Sequence, residues 1–403
     1  MEKLFQKIEQ KLFQSARNMS RPVLNNDLGT LVYFATRYKI SGDEKYKKKS
    51  IFLLKEMLVV FNNYDFSSGA LDGFESIFWT IDYLEKCKII EDSNEYLEDI
   101  TENLFQSIDL DIENEMFEVF YGSIGKMQYF LNEKRITDEK VIELINRLIL
   151  SLWNSKMEKD GRFYWIDKVS FKKELEFVDL GLAHGIAAIF LFLVKLKELN
   201  YENKYLDLLI NGLVETFKNA ENEIKESSFF PDRYNIKNKI LNIFNSRLAY
   251  CVGDLPISYA FSYAGNITNN LEWTEYSKQI IKASLVKEVS NSQLKQFGDY
   301  DFFDIGFCHG ISSILFLLYK INKYHNDDFL DFKIDYWKKE LVRNVVKVIK
   351  IDGPIYYSKT FGDKESKIEL NKNSILNGLC GAALVLLALE HEETDWSSCL
   401  CLY

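Results

Sequence analysis

Two stretches decide the fold: residues 178–196 read VDLGLAHGIAAIFLFLVKL, and residues 304–321 read DIGFCHGISSILFLLYKI. Each begins with a short turn that contains glycine and continues into a helix that is apolar nearly all round. Similar stretches occur at five other places, and the aligned glycines of all seven are Gly29, Gly73, Gly122, Gly185, Gly253, Gly310 and Gly378. A recurrence of this kind indicates a repeat architecture.

A second, more amphipathic helix is predicted in each gap between these glycines. KVIELINRLILSLW from residue 140 and YLDLLINGLVETFKNA from residue 205 show the 3.6-residue apolar period of half-buried helices. Buried inner helices that alternate with amphipathic outer helices predict an all-α protein, an α/α toroid built as a seven-repeat double helical barrel. An open helical solenoid is the alternative, because it also buries each repeat against its neighbours.

No linker rich in glycine, serine or proline divides the chain, so residues 1–403 are predicted to form a single toroid domain. The strand-like pieces GRFYW and FVDL predict a small β-containing insertion at residues 155–180. His325 and His391 stand in polar stretches and are expected to be solvated. The segment SSCLC at residues 397–401 is expected to be exposed and disordered, as short chain ends commonly are.

Charge and hydropathy exclude several classes of protein. The formal net charge of -10 argues against nonspecific nucleic-acid binding, which requires lysine and arginine to neutralise phosphates. No apolar stretch approaches the length of about 18 residues that a membrane-spanning helix needs, so direct membrane insertion is not expected. The first residues lack a signal-peptide pattern, and the six cysteines form no disulfide framework. Reduced thiols in a cytoplasm are therefore expected.

Side chains that can bind metal recur just before the inner helices of the later repeats: Cys251, Cys308 and His309. In a closed ring, equivalent positions converge on one rim. Zinc prefers thiolate and imidazole ligands, and three protein ligands leave a fourth position for water or substrate. On spacing alone, two buried cysteines that act as small hydrophobes are an equal alternative, because no CxxC pair is present.

Three other side chains are candidates for proton transfer or charge stabilisation. His184 directly precedes Gly185, as His309 precedes Gly310, and its alternative role is to cap a buried helix start. Arg247 lies four residues before Cys251, where its alternative is a surface salt bridge. Glu118 opens the third repeat and could face the cavity, but taken alone it is more typical of a solvated carboxylate.

The residues of four motifs resemble a known family. SRLAYCVGD at 246–254, GFCHG at 306–310, DLGLAHG at 179–185 and NGLCGAAL at 377–384 are similar to ordered motifs of the lanthionine synthetase C-like family, which includes the stand-alone cyclases of nisin-type lanthipeptides. The resemblance spans all seven repeats, roughly residues 24 to 390. Each motif alone is weak, but three of them in this order within a seven-repeat chain are specific.

The resemblance implies an α/α toroid with one catalytic zinc ion per chain. It assigns metal ligation to Cys251, Cys308 and His309, acid–base catalysis to His184, an active-site arginine to Arg247 and an orienting carboxylate to Glu118. Two positions depart from the family pattern. Val252 stands where the family commonly has tyrosine, and Glu118 stands where nisin-type cyclases have aspartate.

The function implied by the resemblance is that of a zinc-dependent lanthipeptide cyclase. Such an enzyme adds peptide cysteine thiols to dehydroalanine or dehydrobutyrine and so forms lanthionine or methyllanthionine rings. Its substrate would be a dehydrated lanthipeptide precursor, and its partners a lanthipeptide dehydratase and an export transporter. Membrane association through those partners stays open.

Three alternatives remain at this point. The chain is a non-catalytic scaffold of the same family, or a relative that adds glutathione to dehydroamino acids. The third alternative is a carbohydrate-active hydrolase or lyase on the same toroid, which requires paired carboxylates such as Asp72, Glu118 and Asp304.

Overall fold

The computed structural model describes residues 1–166, 168, 177–231, 234–236, 245–361 and 364–403, with the backbone alone for 357–361 and 364–368. Within these residues the chain forms helices α1 (Glu2–Ala16), α2 (Asp27–Ser41), α3 (Glu44–Phe61), α4 (Glu75–Lys86), α5 (Asn94–Leu97), α6 (Thr101–Glu113), α7 (Ser123–Lys126), α8 (Glu139–Ser155), α9 (Ile186–Glu198), α10 (Leu206–Ala220), α11 (Asp254–Ile267), α12 (Leu271–Ser284), α13 (Ile311–His325), α14 (Asp328–Ile349) and α15 (Leu379–His391). Short 3₁₀ helices lie at Glu98–Ile100, Met127–Tyr129, Gly298–Tyr300 and Asp395–Leu400.

The helices alternate between an inner and an outer ring. In the described part of the chain, each inner helix packs against the next one around the ring, in the order α2, α4, α7 with its 3₁₀ turn, α9, α11, α13 and α15. Helix α15 then packs against α2 and closes the ring. The predicted α/α toroid is therefore confirmed, and the open solenoid is wrong.

Side-chain packing explains this division into two rings. Every residue of α15 from Leu379 to Ala388 is buried, as expected for a helix covered on all sides. Outer helix α8 instead buries only one stripe, which consists of Val141, Leu144, Ile145, Leu148, Ile149 and Leu152. Such a stripe is the apolar face of a half-exposed helix.

Ring closure rests on polar contacts between the first and the last repeat. Thr30 Oγ1 donates to Asn373 Oδ1 at 3.1 Å, and Asn373 Nδ2 donates to Asp27 Oδ1 at 2.7 Å. A Cβ atom on Gly29 would meet the Asn373 carbonyl at 2.4 Å, so only glycine lets the two backbones approach this closely.

The third repeat departs from the predicted pattern. Its inner helix α7 is a single turn that passes into the 3₁₀ turn Met127–Tyr129, whereas the other inner helices run for at least three turns. Gly125 lies inside it, where a Cβ atom would meet the Val119 carbonyl at 1.7 Å. The backbone of this repeat is thus folded tightly onto itself, which the apolar pattern did not predict.

The described residues also form short antiparallel strand pairs in the segments between helices. Strands β1 (Met157–Lys159) and β2 (Arg162–Tyr164) pair inside the predicted insertion, and β3 (Phe177–Val178) pairs with β4 (Tyr234–Asn235). The rest of the insertion, residues 167 and 169–176, lies outside the described residues. Strands β5 (Gln296–Phe297) and β6 (Phe302–Phe303) form a third pair, and β7 (Tyr356–Phe361) and β8 (Lys364–Glu369) form a fourth. The single-domain assignment of residues 1–403 stays a prediction.

Two expectations for polar segments are wrong. The segment around residues 397–401 is not disordered, because Cys399 and Cys401 are buried and Tyr250 donates its hydroxyl to the Leu400 carbonyl at 2.8 Å. His325 is not freely solvated, because its Nε2 lies 3.0 Å from the hydroxyls of both Ser262 and Ser277. Both segments gain their partners from distant repeats. Among the described helices, none is both long enough and apolar enough to cross a membrane.

Candidate active site

Backbone hydrogen bonds join the turns that precede successive inner helices. The N–H of Val119 donates to the Ala183 carbonyl at 3.0 Å, and the N–H of Leu182 donates to the Cys251 carbonyl at 3.0 Å. The N–H of Tyr250 in turn donates to the Cys308 carbonyl at 3.2 Å. Each turn is thus fastened to the next, and the candidate site residues next to these amides are carried to one rim of the ring.

The residue directly before the repeat glycine occupies a distinctive position, which we call the rim position. In repeats two to seven its side chain is at least partly exposed, while both of its chain neighbours are buried. The six rim residues are Asp72, Tyr121, His184, Val252, His309 and Asn377. This position therefore presents side chains to the solvent at the rim, and both candidate histidines occupy it.

Cys251, Cys308 and His309 come together at this rim. Their ligand atoms all lie within 4.8 Å of one another. The Cys308 sulfur lies 3.4 Å from His309 Nε2, and both cysteines are buried. Ligand atoms of a tetrahedral zinc site lie about 3.7 Å apart when Zn–S bonds are about 2.3 Å long. Two sulfurs and one imidazole nitrogen at this spacing fit a zinc ion that keeps a fourth position open.

The electrostatics of the cluster favour a thiolate. The hydrogen bond from Cys308 is the main cause that holds the pKa of the Cys251 thiol well below its usual range, and His309 and Arg247 act in the same direction against burial. The same hydrogen bond, together with burial, raises the pKa of Cys308. Burial opposes the charged form of His309, but its hydrogen bond to Cys251 raises the pKa of the imidazole overall. These contacts favour the thiolate form of Cys251, the form of a cysteine that binds metals.

Arg247 lies half-buried beside this cluster. Its positive charge acts on Cys251, Cys308 and His309, which places the guanidinium near all three. Within the described residues, no hydrogen bond or ion pair joins the Arg247 side chain to another residue. The surface salt bridge considered for it is not present there. A partly desolvated guanidinium with no partner among the described residues is available for an anionic ligand.

His184 and Glu118 form a second pair at the same rim. His184 Nδ1 lies 2.6 Å from Glu118 Oε2, and the Glu118 carboxylate is buried. The backbone N–H groups of Phe120 and Tyr121 also donate to this carboxylate, the former at 2.9 Å. Glu118 is therefore not a solvated side chain. Its longer side chain still reaches the imidazole and sets the orientation of the ring.

Aromatic rings connect the two halves of the site. The Phe120 ring meets the His184 ring edge-on at a centroid distance of 5.3 Å and stacks on Tyr250 at 6.3 Å. Tyr250 directly precedes Cys251 in the chain. Because Phe120 is buried, it fixes the separation of the imidazole from the thiol cluster.

An open cavity of about 230 Å³ adjoins His184 on the side of the β1–β2 hairpin. Glu118, His184, Ile189, Met157 and Trp165 contribute to its wall. The predicted β-containing insertion therefore shapes the space next to the candidate acid–base pair.

Two carboxylates considered for a carbohydrate-active enzyme have structural roles instead. Asp304 Oδ1 accepts the N–H of Gly306 at 2.7 Å and so shapes the turn that carries Cys308. Asp72 Oδ2 accepts from Asn25 Nδ2 at 3.4 Å, and burial raises the pKa of its carboxyl. The third candidate, Glu118, is engaged by His184.

The sequence reasoning missed Tyr121. Its side chain is 43% exposed at the rim, and its ring lies parallel to that of His184, 6.3 Å away with an interplanar angle of 8°. The signal was present in the repeat alignment, because Tyr121 precedes Gly122 as His184 precedes Gly185.

Comparisons with known proteins place the chain in a family. A family model described as lanthionine synthetase C-like protein matches residues 25–401. Among solved structures, nisin cyclase superimposes with a TM-score of 0.73 at 18% identity, covering 100% of this chain and 97% of its own. The unsaturated glucuronyl hydrolase of Bacillus sp. GL1 gives a TM-score of 0.44 at 12% identity, and the superposition covers 96% of this chain and 97% of the hydrolase chain. No curated protein matches the chain significantly. The match to nisin cyclase shows a shared fold.

Proposed function

The chain belongs to the lanthionine synthetase C-like family, and on that premise we propose that it is a zinc-dependent lanthipeptide cyclase. Its substrate is a dehydrated precursor peptide that carries cysteine and dehydroalanine or dehydrobutyrine. The reaction forms one C–S bond between the cysteine sulfur and the β-carbon of the dehydro residue, while the S–H bond of the cysteine and the C=C π bond of the dehydro residue break. A proton added to the α-carbon completes the thioether ring.

The metal is proposed from the donor set of the chain. Cys251, Cys308 and His309 would hold one zinc ion per chain, because their sulfur and nitrogen atoms cluster within 4.8 Å. When bound, zinc lowers the pKa of a substrate thiol in its open position and so supplies a thiolate at neutral pH.

Arg247 is proposed to stabilise the charge that develops during the addition. Attack at the β-carbon moves an electron pair through the α-carbon to the neighbouring carbonyl oxygen, which becomes an enolate. A guanidinium that is already near the thiols and has no partner among the described side chains can bind that oxygen without first breaking a salt bridge.

His184 is proposed to deliver the proton to the α-carbon. Glu118 engages Nδ1 at 2.6 Å, so proton transfer is assigned to Nε2. The buried carboxylate stabilises the positive imidazolium before transfer and fixes the tautomer afterwards, in the way that an aspartate orients the histidine of a catalytic triad.

One observation carries this proposal: a Cys₂His cluster, a guanidinium without a described partner and a His–Glu pair all lie at one rim of a toroid. A carbohydrate-active enzyme gives no reason for the thiol cluster. Because all six cysteines are free and the chemistry needs reduced thiols, we propose that the protein works in the cytoplasm. A dehydratase and an export transporter are its proposed partners.

The test is cyclisation of a dehydrated precursor peptide by the purified, zinc-loaded protein. Ring closure leaves the peptide mass unchanged and removes free thiols, so alkylation followed by mass spectrometry counts the rings. The proposal predicts loss of alkylatable thiols with the wild-type protein and not with Cys308→Ala. Zinc binding without any ring formation would favour the scaffold, and reaction with free glutathione in place of the peptide thiol would favour the glutathione-adding relative.

A further inference from the structure

Position 252 carries no hydrogen-bond donor in its side chain. Val252 occupies the rim position of the fifth repeat and directly follows the candidate ligand Cys251. An enolate oxygen at this rim therefore has Arg247 as a donor but no phenol from the fifth repeat. A second neutral donor must come from another rim position if the site has one.

Tyr121 is the one phenol among the six rim residues. Its backbone is held at two points, because its N–H donates to Glu118 and the N–H of Ala70 donates to the adjacent Phe120 carbonyl at 2.8 Å. Its side chain is nevertheless 43% exposed, whereas inner-ring aromatic residues such as Phe78 and Tyr259 are buried. The residue is thus held by its backbone, while its side chain is open to solvent at the rim.

The surroundings of Tyr121 place it beside the acid–base pair of the site. Its ring lies parallel to the His184 ring at 6.3 Å. Burial is the main cause that raises the pKa of its hydroxyl, and the negative charges of Asp72 and Glu118 add to the effect. The hydroxyl therefore stays protonated at neutral pH and can donate a hydrogen bond.

We propose that Tyr121 is a further substrate-contacting residue of this site, whose hydroxyl donates a hydrogen bond to the carbonyl oxygen of the dehydro residue as that oxygen becomes an enolate. The inference rests on the proposed cyclase function. No proton is transferred by Tyr121: its O–H bond stays intact, and the α-carbon receives its proton from His184. The phenol acts beside Arg247 as the second donor and replaces the one that Val252 lacks.

A competing role is purely structural, in which the Tyr121 ring only supports the His184 ring by stacking. Tyr121→Phe separates the two roles, because it keeps the ring and removes the hydroxyl. Tyr38→Phe is the matched control: its hydroxyl lies in the second half of α2 and contacts the exposed Glu44 at 3.4 Å. Neither substitution removes a buried polar contact, so both variants are expected to fold.

The experiment measures kcat, KM, zinc content and melting temperature for both variants on a zinc-loaded cyclase with a dehydrated peptide. A donor used only in the transition state predicts that Tyr121→Phe lowers kcat about tenfold to a hundredfold, with KM, zinc content and melting temperature unchanged. The pH dependence of kcat should also keep its shape. The double variant Tyr121→Phe/Val252→Tyr should regain activity, because it returns a phenol to the rim.

The opposite results are equally clear. Wild-type kcat in Tyr121→Phe would overturn this inference and leave the cyclase function standing. A loss accompanied by a displaced pH profile would assign Tyr121 to the support of His184. A double variant no more active than Tyr121→Phe would contradict the idea that phenols at positions 121 and 252 can donate to the same enolate oxygen. A wild-type protein that binds zinc but closes no ring would overturn the proposed function and this inference with it.

Discussion

The carbonyl of Cys251 accepts a hydrogen bond from the N–H of Leu182 at 3.0 Å, and this bond fastens the turn of His184 to the turn of a candidate metal ligand. The two residues belong to neighbouring repeats. Their contact depends on Gly181, because a Cβ atom there would meet the Cys251 carbonyl oxygen at 1.9 Å. The metal cluster and the acid–base pair are therefore built on one shared backbone contact.

Gly181→Ala is expected to disturb both halves of the site together. The added methyl group must push the Cys251 backbone away, and overpacking of this kind costs about 1–3 kcal/mol. We expect a lower melting temperature and weaker zinc binding, measured by thermal denaturation and by competition with a chromophoric chelator. Gly298→Ala is the control, because a Cβ atom at Gly298 has no atom within 4 Å. If the two variants have the same melting temperature and zinc affinity, the close contact between Gly181 and the Cys251 backbone does not support the site.

Glu118→Gln is expected to impair proton transfer while the metal cluster stays intact. The amide keeps the size of the side chain but loses the charge that faces His184 Nδ1 at 2.6 Å. Loss of an effective general acid costs about a hundredfold in kcat. Zinc content should not change, and Glu113→Gln, in an exposed residue at the end of α6, should behave as wild type. Full activity of Glu118→Gln would remove the carboxylate from the mechanism.

Arg247→Met is expected to change the pH dependence of zinc uptake. The pKa of Cys251 is lowered mainly by its hydrogen bond with Cys308, and the charge of Arg247 contributes in the same direction. Without that charge the pKa rises, so the thiolate forms and zinc binds only at higher pH. The midpoint of uptake, followed in a pH titration with a zinc indicator, should move upward. Arg343→Met, an exposed outer-ring control, should leave it in place. A downward or absent shift would place Arg247 away from the thiols.

His325 is expected to make stability fall in mild acid. Burial lowers its pKa from 6.5 to about 4. Between these values the unfolded chain binds a proton that the folded chain excludes, so the stabilisation present above pH 6.5 is lost as the pH falls towards 4. Thermal denaturation of His325→Gln should show a flatter pH dependence in this window than wild type. His391→Gln, at an exposed histidine, should retain the wild-type pH dependence of the melting temperature. If both variants retain it, His325 is not the group that causes the loss of stability in acid.

The repeat pattern predicted the toroid because its information is local. A turn with glycine followed by an apolar helix, as at Gly185 and Gly310, determines each inner helix from its own residues. The same alignment placed His184 and His309 at one rim. Residues whose environment comes from distant repeats were not predictable in this way, as the burial of Cys401 and the contacts of His325 show.

The local sequence pattern also does not predict which site residues contact each other. Glu118 reaches His184 through contacts between the third and fourth repeats, 66 residues apart in the chain. The β7–β8 pair was missed although Tyr356, Tyr357, Thr360 and Phe361 are residue types typical of strands. Tyr121 was not predictable from its residue type, because tyrosine is not a typical zinc ligand, and only its place directly before Gly122 indicates the rim position.

The most direct measurement is the zinc content of reduced wild-type protein beside Cys308→Ala and Cys380→Ala. Cys380 is a suitable control because it is buried in α15, outside the thiol–imidazole cluster, and burial raises the pKa of its thiol. A catalytic zinc site predicts about one zinc ion per chain in wild type and Cys380→Ala, and close to none in Cys308→Ala. Zinc-free wild-type protein, or full zinc content in Cys308→Ala, would contradict the proposed metal centre and the cyclase mechanism built on it.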